Sequence, residues 1–334
     1  MGGPSTEHEI SLISGSNIVR AMDEKKYNVH PVLISKDNVW KWSSRELTPY
    51  QQNSFSINYF HSLGGNSLNE LKTPALSDLP DADIAFIALH GAFGEDGKIQ
   101  ALLENWNIAY TGSGVLASAL AMDKIQAKYT YLANEIPTAD FEVLYRKEFS
   151  GEKLISVSEK LGFPLVVKDP CGGSSLDMGI AEDLDQFMDL VENLLSKFPR
   201  VICEKYISGT EASCGFLENG PILPPTEIKP HQGEYFDFEA KYQGKSEEIT
   251  PANLSPELTQ KIQQIAERAH KVLNCSVYSR TDVRIDANGD IFVLETNTLH
   301  GMTPQSLLPQ QAAHQNIGYA ELIDRIIAES LQKV

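Results

Sequence analysis

The stretch Arg280-Thr-Asp-Val-Arg-Ile-Asp-Ala-Asn-Gly-Asp-Ile-Phe-Val-Leu-Glu-Thr-Asn297 contains two short strand patterns separated by Asn288-Gly289. An Asn-Gly pair between alternating apolar residues is typical of a β-hairpin with a two-residue type I′ turn. That turn places Asp282 opposite Glu295 and Arg280 opposite Asn297. In the same register the facing apolar pairs are Val283 with Leu294 and Ile285 with Phe292.

This register separates an apolar face from a polar one, because strand side chains alternate with period two. On the polar face Asp282 lies directly across from Glu295, with Cβ atoms roughly 4.5–5.5 Å apart. Opposed carboxylates repel unless a cation lies between them. Two carboxylates and the Asn297 carbonyl oxygen suit Mg²⁺, which keeps some waters and binds substrate phosphates. A solvated hairpin face with scattered charges is the alternative interpretation.

Length and charge limit the classes of protein to consider. The chain has 334 residues, which predicts two or three domains because single cores stop growing near about 250–300 residues. Its hydrophobic content of 42% and charged content of 22% are those of an ordinary globular protein. The formal net charge of −17 argues against a nucleic-acid or membrane partner, since both require a basic face.

Cysteine usage and the N-terminus indicate a cytoplasmic protein. Four cysteines occur, none in a Cys-x-x-Cys pair, at positions 171, 203, 214 and 275. They are too scattered for a secreted disulfide framework or a zinc site. The sequence has no apolar run near the ~18 residues of a membrane span, and its start lacks the pattern of a signal peptide.

Strand and helix patterns alternate in the first third of the chain, as in a parallel α/β unit. We expect a helix over residues 10–22, strands over 29–34 and 82–89, and a connection over 53–74. Further along we expect helices over 124–134 and 184–196, strands over 163–168 and 201–205, and an extended 221–230 segment. Ser255 is a predicted N-cap with Pro256 at the first helical position. The apolar stripe of that helix is Leu258, Ile262, Ile265, Ala266, Ala269 and Val272.

Three further motifs have the chemistry of anion sites. Lys168-Asp-Pro-Cys-Gly-Gly-Ser-Ser175 follows a strand and can wrap phosphates with backbone N–H groups, although it is not a Walker loop and also suits a flexible turn. Gly2-Gly-Pro-Ser-Thr-Glu-His-Glu-Ile-Ser11 opens a helix whose N-terminus can receive an anionic group, with Glu7 available for an ammonium. The alternative is that Ser5 or Thr6 simply caps that helix. His90-Gly-Ala-Phe-Gly-Glu-Asp-Gly97 follows a strand, where α/β sheets bind ligands.

Together these motifs resemble the D-alanine–D-alanine ligases of the ATP-grasp superfamily over essentially the whole chain. The other segments that carry the resemblance are Tyr110-Thr-Gly-Ser-Gly-Val115, Met122-Asp-Lys124, Glu204-Lys-Tyr-Ile-Ser-Gly-Thr-Glu211, Phe238-Glu-Ala-Lys-Tyr242 and Glu295-x-Asn-Thr-Leu-x-Gly-Met-Thr-Pro-x-Ser306. The resemblance implies an ATP-grasp fold with an N-terminal α/β domain over 1–114, a central subdomain over 115–209 and a C-terminal catalytic domain over 210–334. It also implies two Mg²⁺ ions (or Mn²⁺), a homodimer, and a role in peptidoglycan precursor synthesis.

By the same resemblance, ATP phosphorylates one D-alanine and the amine of a second attacks the acyl phosphate. The implied ATP-binding residues are Lys124, Lys168 and Lys241 at the phosphates, with Ser174 in the phosphate loop, Glu204 and the Lys205 to Ile207 backbone at the adenine, and Glu211 at the ribose. The implied metal ligands are Asp282, Glu295 and Asn297. The implied substrate and catalytic residues are Glu7, His90, Ser174, Tyr242, Arg280, Gly301, Ser306 and Leu307.

Each implied role has a structural alternative. His90 also suits a satisfied polar residue beneath its loop, and Arg280 a partner that neutralises the hairpin carboxylates. Lys124 and Lys241 suit solvated lysines, Glu204 and Glu211 exposed carboxylates, and Tyr242 a packing aromatic.

Two positions depart from the family pattern. Met1 directly precedes Gly2 where the family has a strand, so the resemblance implies that the N-terminal sheet lacks its first strand and that Glu7 is poorly held. Asp177 replaces a glycine of the phosphate loop.

Tyr242 stands where D-lactate-using relatives carry His, which favours an amine as second substrate. A D-alanyl-D-lactate or D-alanyl-D-serine ligase, or a catalytically weak ATP-binding regulatory protein, are the alternatives.

Overall fold

The computed structural model describes residues 1–43, 45–63, 68–72, 74–173, 177–230 and 246–333, without the side chains of residues 230 and 246. Ser174, Lys241 and Tyr242 therefore lie outside the described residues. None of the described helices is long and apolar enough to span a membrane.

The N-terminal region combines an antiparallel and a parallel sheet. Its elements in chain order are α1 (His8–Ala21), β1 (Val32–Ile34), β2 (Trp40–Trp42), α2 (Pro49–Asn53), α3 (Asn58–Ser62), β3 (Asn69–Leu71), β4 (Ile84–Ala85), α4 (Lys98–Asn105), β5 (Ala109–Tyr110) and α5 (Val115–Met122). The predicted parallel pairing is confirmed for β4 and β5. β1 pairs in parallel with the start of the chain through the Gly2–Ile34 bridge and antiparallel with β2. A short turn closed by the Ser35 N–H and Val39 carbonyl joins β1 to β2. The expected 53–74 connection contains α3 and β3.

The start of the chain lies between these two sheets. Gly2 forms isolated parallel bridges with Ile34 and with Leu89. A cavity of about 680 Å³ lies at this junction and is lined by residues that include Val32 and Ile84. The two sheets are thus connected through Gly2 at this point.

The central region is a four-stranded antiparallel sheet covered by two helices. It contains α6 (Lys124–Ala133), β6 (Phe141–Tyr145), α7 (Gly151–Leu161), β7 (Leu165–Lys168), β8 (Met178–Ala181), α8 (Leu184–Lys197) and β9 (Arg200–Lys205), with strand order β6-β9-β7-β8. Its core joins Leu154 and Val157 of α7 with Phe187 and Val191 of α8 over β7 and β9. The predicted helices and strands of this region are confirmed within a few residues at each end.

The C-terminal region is a five-stranded antiparallel sheet with the order β12-β11-β10-β13-β14. Its elements are β10 (Thr210–Leu217), β11 (Thr226–Pro230), β12 (Ser246–Ile249), α9 (Pro256–Val272), β13 (Tyr278–Ile285), β14 (Ile291–Asn297), α10 (Leu307–His314) and α11 (Tyr319–Gln332). The predicted cap of α9 is confirmed, since the Ser255 hydroxyl accepts the Leu258 N–H at 3.2 Å. Ile262, Ala266 and Ala269 of its predicted stripe are buried against the sheet.

The hairpin between β13 and β14 has a different turn from the predicted one. Ile285 pairs with Ile291, and the Asp286 N–H donates to the Asp290 carbonyl at 3.0 Å. The loop is therefore three residues long, and within it Gly289 alone has a positive φ, of 82°. The Asp286 carboxylate explains the change, because its Oδ1 accepts the backbone N–H groups of Asn288 and Asp290, both at 2.9 Å. A side chain that satisfies two turn N–H groups fixes where the turn begins.

A β-bulge restores the predicted register at the far end of the hairpin. The register shifts between Asp282 and Val283, so that Val283 pairs with Val293 while Asp282 pairs with Glu295. The predicted facing of Asp282 and Glu295, and of Arg280 and Asn297, is confirmed. The predicted pairs Val283–Leu294 and Ile285–Phe292 are wrong, because the three-residue loop shifts the pairing by one residue, to Val293 and Ile291. Leu294 is the extra residue of the bulge, where this shift ends.

The bulge also decides which face each side chain takes. Val293 is fully buried and belongs to the core with Val283, Ile285 and Ile291. Without a bulge Glu295, two residues further on, would point the same way. The extra residue reverses the alternation, so the core receives Val293 and the opposite face receives Glu295.

The two turn types predict different effects of substitution. We expect Gly289→Val to lower the free energy of unfolding by about 1–2 kcal/mol, because a β-branched residue is strained at positive φ. Asn288→Ala should change it by less than about 0.5 kcal/mol, because Asn288 does not need positive φ. Urea unfolding measures both. Equal losses for the two variants would indicate the type I′ turn instead.

Candidate active site

One pocket brings together side chains from all three regions of the chain. Glu7 from the start of α1, Lys124 from the start of α6, and Glu295 and Asn297 from β14 line it. The rest of its wall includes Gly91, Glu95, Gly172 and Gly173. The hairpin and the three further motifs of the sequence analysis therefore meet at one place.

The two opposed carboxylates each have a cationic partner. Arg280 holds Asp282 with two hydrogen bonds, from Nε to Oδ1 at 3.0 Å and from a terminal nitrogen to Oδ2 at 2.8 Å. Asp282 also accepts from the Ser213 hydroxyl at 2.6 Å and the Asn297 amide at 3.1 Å. Glu295 Oε2 lies 3.0 Å from Lys124 Nζ. The repulsion expected from the register is thus offset by these two cations.

Lys124 connects the hairpin to the glycine-rich loop. Its Nζ donates to the Gly172 carbonyl at 2.7 Å, and its backbone N–H donates to the Pro170 carbonyl at 2.9 Å. Burial by itself lowers the pKa of Lys124, but Glu295 outweighs it and the pKa is raised above its usual value. A permanently charged Lys124 therefore lies between Glu295 and the loop, where an anionic phosphate can be received.

Asp282, Glu295 and Asn297 fit a hard divalent cation by donor chemistry. Mg²⁺ binds one or two carboxylates and takes other oxygens from water and phosphates, and these three side chains lie at facing positions of β13 and β14. Across the part of the chain that is described, no three His, Cys, Asp or Glu side chains form a metal-binding group. The Asn297 amide and substrate oxygens would have to complete the coordination.

Glu7 lies against two glycines of the pocket wall. A Cβ on Gly91 would be 2.8 Å from Glu7 Oε2, and one on Gly173 would be 3.2 Å away. The predicted capping of α1 by Ser5 or Thr6 is wrong. Glu7 itself occupies the N-cap without a side-chain cap hydrogen bond. Ser5 lies before the helix, where its hydroxyl accepts the Glu7 N–H at 3.2 Å and donates to the His90 carbonyl at 2.6 Å.

His90 is buried with both ring nitrogens engaged. Nδ1 lies 3.0 Å from the Leu299 carbonyl and Nε2 lies 3.0 Å from the Ser14 hydroxyl. A carbonyl oxygen can only accept, so Nδ1 carries the hydrogen and Nε2 accepts. Burial lowers the pKa of His90, which agrees with a neutral ring. His90 thus joins α1 to the 299–302 loop beneath the pocket, and its predicted role beside a substrate stays a prediction.

Ser306 is the N-cap of α10, yet its hydroxyl does not cap that helix. Ser306 Oγ accepts the Thr303 N–H at 3.0 Å and lies 2.9 Å from the Thr303 hydroxyl. A Cβ on Gly301 would be 3.1 Å from it. Gly301, Ser306 and the half-buried Leu307 are therefore adjacent at a helix N-terminus, which favours a negatively charged group.

Lys168 and Glu204 belong to a buried ion-pair cluster that also contains Lys128, which sequence reasoning missed. Glu204 lies 2.6 Å from Lys168 Nζ and 2.9 Å from Lys128 Nζ. Burial alone would raise the pKa of Glu204, but the two lysines lower it to about 2. Lys128 also donates to the Thr138 hydroxyl at 2.6 Å. The signal for Lys128 was its position four residues after Lys124, on the same face of α6.

The remaining predicted nucleotide residues lie between the end of β9 and the start of β10. Lys205 is exposed, and its backbone N–H donates to the Asp140 carbonyl at 2.9 Å. The Ile207 carbonyl and the Glu211 carboxylate both bind Arg284, at 3.0 Å and 3.2 Å. Arg284 was also missed, although its place two residues after Asp282 on β13 put it on the polar face.

Glu95 is a third missed residue. It lines the pocket, and its Oε1 accepts the Gly91 N–H at 2.8 Å. Burial, followed by the nearby Glu7, raises the pKa of Glu95 to about 8. The available signal was an acidic residue within the motif 90–97.

The structural similarities define the class of protein. Over 99% of its length the chain matches a solved D-alanine–D-alanine ligase from Coxiella burnetii, with TM-score 0.84, 28% identity and 92% of that chain covered. It matches an ATP complex of the Bacillus anthracis D-alanine–D-alanine ligase over 100% of its length, with TM-score 0.77, 31% identity and 96% of that chain covered. The fold is that of the ATP-grasp enzymes.

Sequence comparison specifies the family within that class. Family profiles described as D-ala D-ala ligase N-terminus and C-terminus match residues 1–113 and 131–328. A D-alanine–D-alanine ligase of Leptospira interrogans is 40% identical over 344 aligned residues, which cover 99% of this chain and 97% of the relative. The chain belongs to the D-alanine–D-alanine ligase family.

Removal of Lys128 should destabilise the protein. We expect Lys128→Met to lower the free energy of unfolding by about 3 kcal/mol, because the buried Glu204 loses one of its two cationic partners. The control is Lys261→Met, since Lys261 pairs with Glu257 in solvent on α9 and its loss should have no resolvable effect. Denaturant unfolding at pH 7 gives both values, and indistinguishable variants would contradict the role of Lys128.

Replacement of Glu95 should change the pH dependence of stability. With a folded pKa of about 8, wild-type Glu95 stays protonated while the unfolded chain releases the proton above its ordinary pKa. The wild type therefore loses stability as pH rises from about 4.5 to 8. Glu95→Gln keeps the acceptor for Gly91 and removes this loss.

The free energy of unfolding of Glu95→Gln, relative to that of the wild type, should rise by on the order of 3 kcal/mol between pH 5 and pH 8. Urea unfolding without nucleotide or divalent cation measures it. A constant difference between the two proteins at both pH values would show that Glu95 ionises normally.

Proposed function

We propose that this protein joins two D-alanines into D-alanyl-D-alanine at the expense of ATP, for peptidoglycan precursor synthesis. The observation that carries the proposal is that family similarity over 99% of the chain coincides with one pocket that gathers Glu7, Lys124, Glu295 and Asn297. Domain limits of 1–114, 115–209 and 210–334, a homodimer and a cytoplasmic location belong to the same proposal, from resemblance and composition.

The first step transfers the γ-phosphoryl group of ATP to a carboxylate oxygen of the first D-alanine and releases ADP. Lys124 and Lys168 hold phosphate oxygens, and the glycine-rich loop near Gly172 supplies backbone N–H groups. Both lysines already lie beside carboxylates in the structure, with Lys124 on Glu295 and Lys168 on Glu204. These carboxylates hold the two lysines in place before phosphate binds. The side chains therefore need little reorganisation when the phosphate replaces a carboxylate as their partner.

Glu7 binds the ammonium group of the first D-alanine in this proposal. Its carboxylate lies close to the backbone of Gly91 and Gly173, and it fits there because neither residue has a side chain. His90 supports the position indirectly, because it binds the Ser5 hydroxyl through its carbonyl and Ser14 through its ring. Ser174 and Tyr242 complete the predicted set with Glu7.

The second step forms the C–N bond. The amine of the second D-alanine attacks the acyl phosphate carbon, the tetrahedral intermediate expels inorganic phosphate, and the amine loses a proton. Arg280 and the Gly301 N–H stabilise the oxyanion, while Ser306 at the α10 N-terminus takes the carboxylate of the second D-alanine. Lys241 contacts the γ-phosphate and Glu211 the ribose.

Asp282, Glu295 and Asn297 would hold two Mg²⁺ ions, with Mn²⁺ as a substitute. Bound Mg²⁺ neutralises charge on the transferring phosphoryl group. The protein's part is to hold the ligands apart and oriented, which Arg280 and Ser213 do for Asp282.

A phosphate-release assay with ATP and D-alanine, D-lactate or D-serine as acceptor tests the function. D-alanine alone as both substrates should give sustained turnover and a dipeptide by mass spectrometry. Turnover that requires D-lactate or D-serine would reassign the second substrate. ATP binding without turnover with any acceptor would identify a regulatory ATP-binding protein.

Glu295→Gln should reduce the rate of phosphate release by at least about 100-fold, because it removes a charged ligand from the proposed metal site. Binding of Mn²⁺ in the presence of ATP, followed by electron paramagnetic resonance, should weaken as well. Glu192→Gln, on the exposed side of α8, is the matched control and should change neither. Unchanged Mn²⁺ affinity in Glu295→Gln would contradict the metal assignment.

A further inference from the structure

Arg284 on β13 contacts three groups, two in the segment between β9 and β10 and one at the start of β10. Its Nε donates to the Ile207 carbonyl at 3.0 Å, one terminal nitrogen lies 3.2 Å from Glu211 Oε2, and the other donates to the Tyr206 hydroxyl at 3.0 Å. The guanidinium also lies 5.4 Å from the centre of the Tyr206 ring. One side chain therefore sets the positions of a carbonyl, a carboxylate and an aromatic ring.

Arginine is the residue suited to this position. Its planar fork directs five N–H donors along fixed directions and stacks on aromatic rings, whereas lysine offers a single flexible ammonium. The Arg284 side chain is 12% exposed and that of Glu211 14%, so water competes little for their ion pair. Because the pair is mostly shielded from solvent, it orients the carboxylate more firmly than a surface pair would.

The backbone between Ile207 and Glu211 is also constrained by its contacts with β13. Glu211 pairs directly across from Arg284 in the β10–β13 ladder. Gly209 has φ of 131°, and a Cβ there would be 2.0 Å from the Ile285 carbonyl oxygen. The backbone therefore packs closely against β13 at Gly209, and Arg284 binds it at Ile207 and Glu211.

We propose that Arg284 is a positioning residue of the nucleotide site, which holds the Ile207 carbonyl and the Glu211 carboxylate in place for adenine and ribose and thereby makes the enzyme prefer a ribonucleotide. This inference rests on the proposed function, in which the Ile207 backbone meets adenine and Glu211 meets the ribose. A carboxylate has about four acceptor positions, so Glu211 can bind Arg284 and accept from ribose hydroxyls together.

The proposed role of Arg284 predicts different effects on the binding of ATP and of 2′-deoxyATP. A correctly oriented carboxylate gains hydrogen bonds from the 2′- and 3′-hydroxyls of ATP, whereas 2′-deoxyATP offers one hydroxyl fewer. Without Arg284 the carboxylate loses its orientation, so ATP should lose more affinity than 2′-deoxyATP. In the proposed function D-alanine binds at Glu7 and Ser306, which Arg284 does not contact, so its binding should be unaffected.

The experiment measures equilibrium binding of ATP and 2′-deoxyATP by calorimetry, with Mg²⁺ and the full chain, for the wild type, Arg284→Met and Arg284→Lys. Arg325→Met is the control, because Arg325 forms an exposed pair with Glu321 on α11. Steady-state kinetics add the KM for ATP, the KM for D-alanine and kcat. Thermal unfolding without nucleotide reports any purely structural effect.

For Arg284→Met we expect ATP affinity to fall about 10-fold and 2′-deoxyATP affinity about 2-fold or less, so that the preference for ATP largely disappears. The KM for ATP should rise in parallel, with the KM for D-alanine and kcat changed by less than about 2-fold. Arg284→Lys should recover part of the affinity and less of the preference. Tyr206→Phe, which removes one acceptor, should weaken ATP binding by about 2-fold.

Two outcomes would overturn the inference: an equal loss of affinity for both nucleotides, or unchanged ATP affinity with a lower melting temperature. Either would show that Arg284 only stabilises the sheet. If Arg284→Met does not fold, the ratio of ATP to 2′-deoxyATP affinity in Arg284→Lys and Tyr206→Phe decides by the same criterion. A wild type that binds neither nucleotide would overturn the proposed function itself, and with it this inference.

Discussion

The opposition of Asp282 and Glu295 across two paired strands is the constraint on which the site depends. Two carboxylates at facing positions repel, and the fold offsets this with Arg280 on one and Lys124 on the other. Lys124 begins a helix of a different region and also binds the Gly172 carbonyl. The charge requirement of one hairpin therefore helps to fix where the glycine-rich loop lies.

A second charge cluster lies behind the first. Glu204 at the end of β9 is 3% exposed and pairs with Lys128 and Lys168. Buried ion pairs add little net stability, but loss of one partner is costly. The cluster fixes the spatial relation of α6, β7 and β9. Lys168 is thereby held on a strand, which suits the phosphate-binding role that we propose for it.

A third arrangement places the segment after β9. Arg284 projects from the strand that carries Asp282 and binds the Ile207 carbonyl and Glu211. Polar side chains of β13 thus serve two ends of one bound nucleotide in our proposal, with Asp282 towards the phosphates and Arg284 towards the base and ribose. Period-two alternation is the reason, since residues 280, 282 and 284 share one face.

The sequence by itself determined the family, the elements α6, β7, α8 and β9 of the central region, the cap of α9 and the facing of Asp282 with Glu295, because these follow from local patterns and an ordered set of motifs. It did not determine the turn, since Asp286 rather than Asn288 begins it, nor the bulge at Leu294 that sends Val293 and Glu295 to opposite faces. It also missed Lys128, Arg284 and Glu95. Their roles arise from partners 76, 73 and 88 residues away along the chain, at Glu204, Glu211 and Glu7. Only the tertiary structure brings Lys128 and Arg284 to 2.9 Å and 3.2 Å from their acidic partners, and burial makes these two ion pairs necessary. The same folding brings Glu7 close enough to Glu95 to raise its pKa.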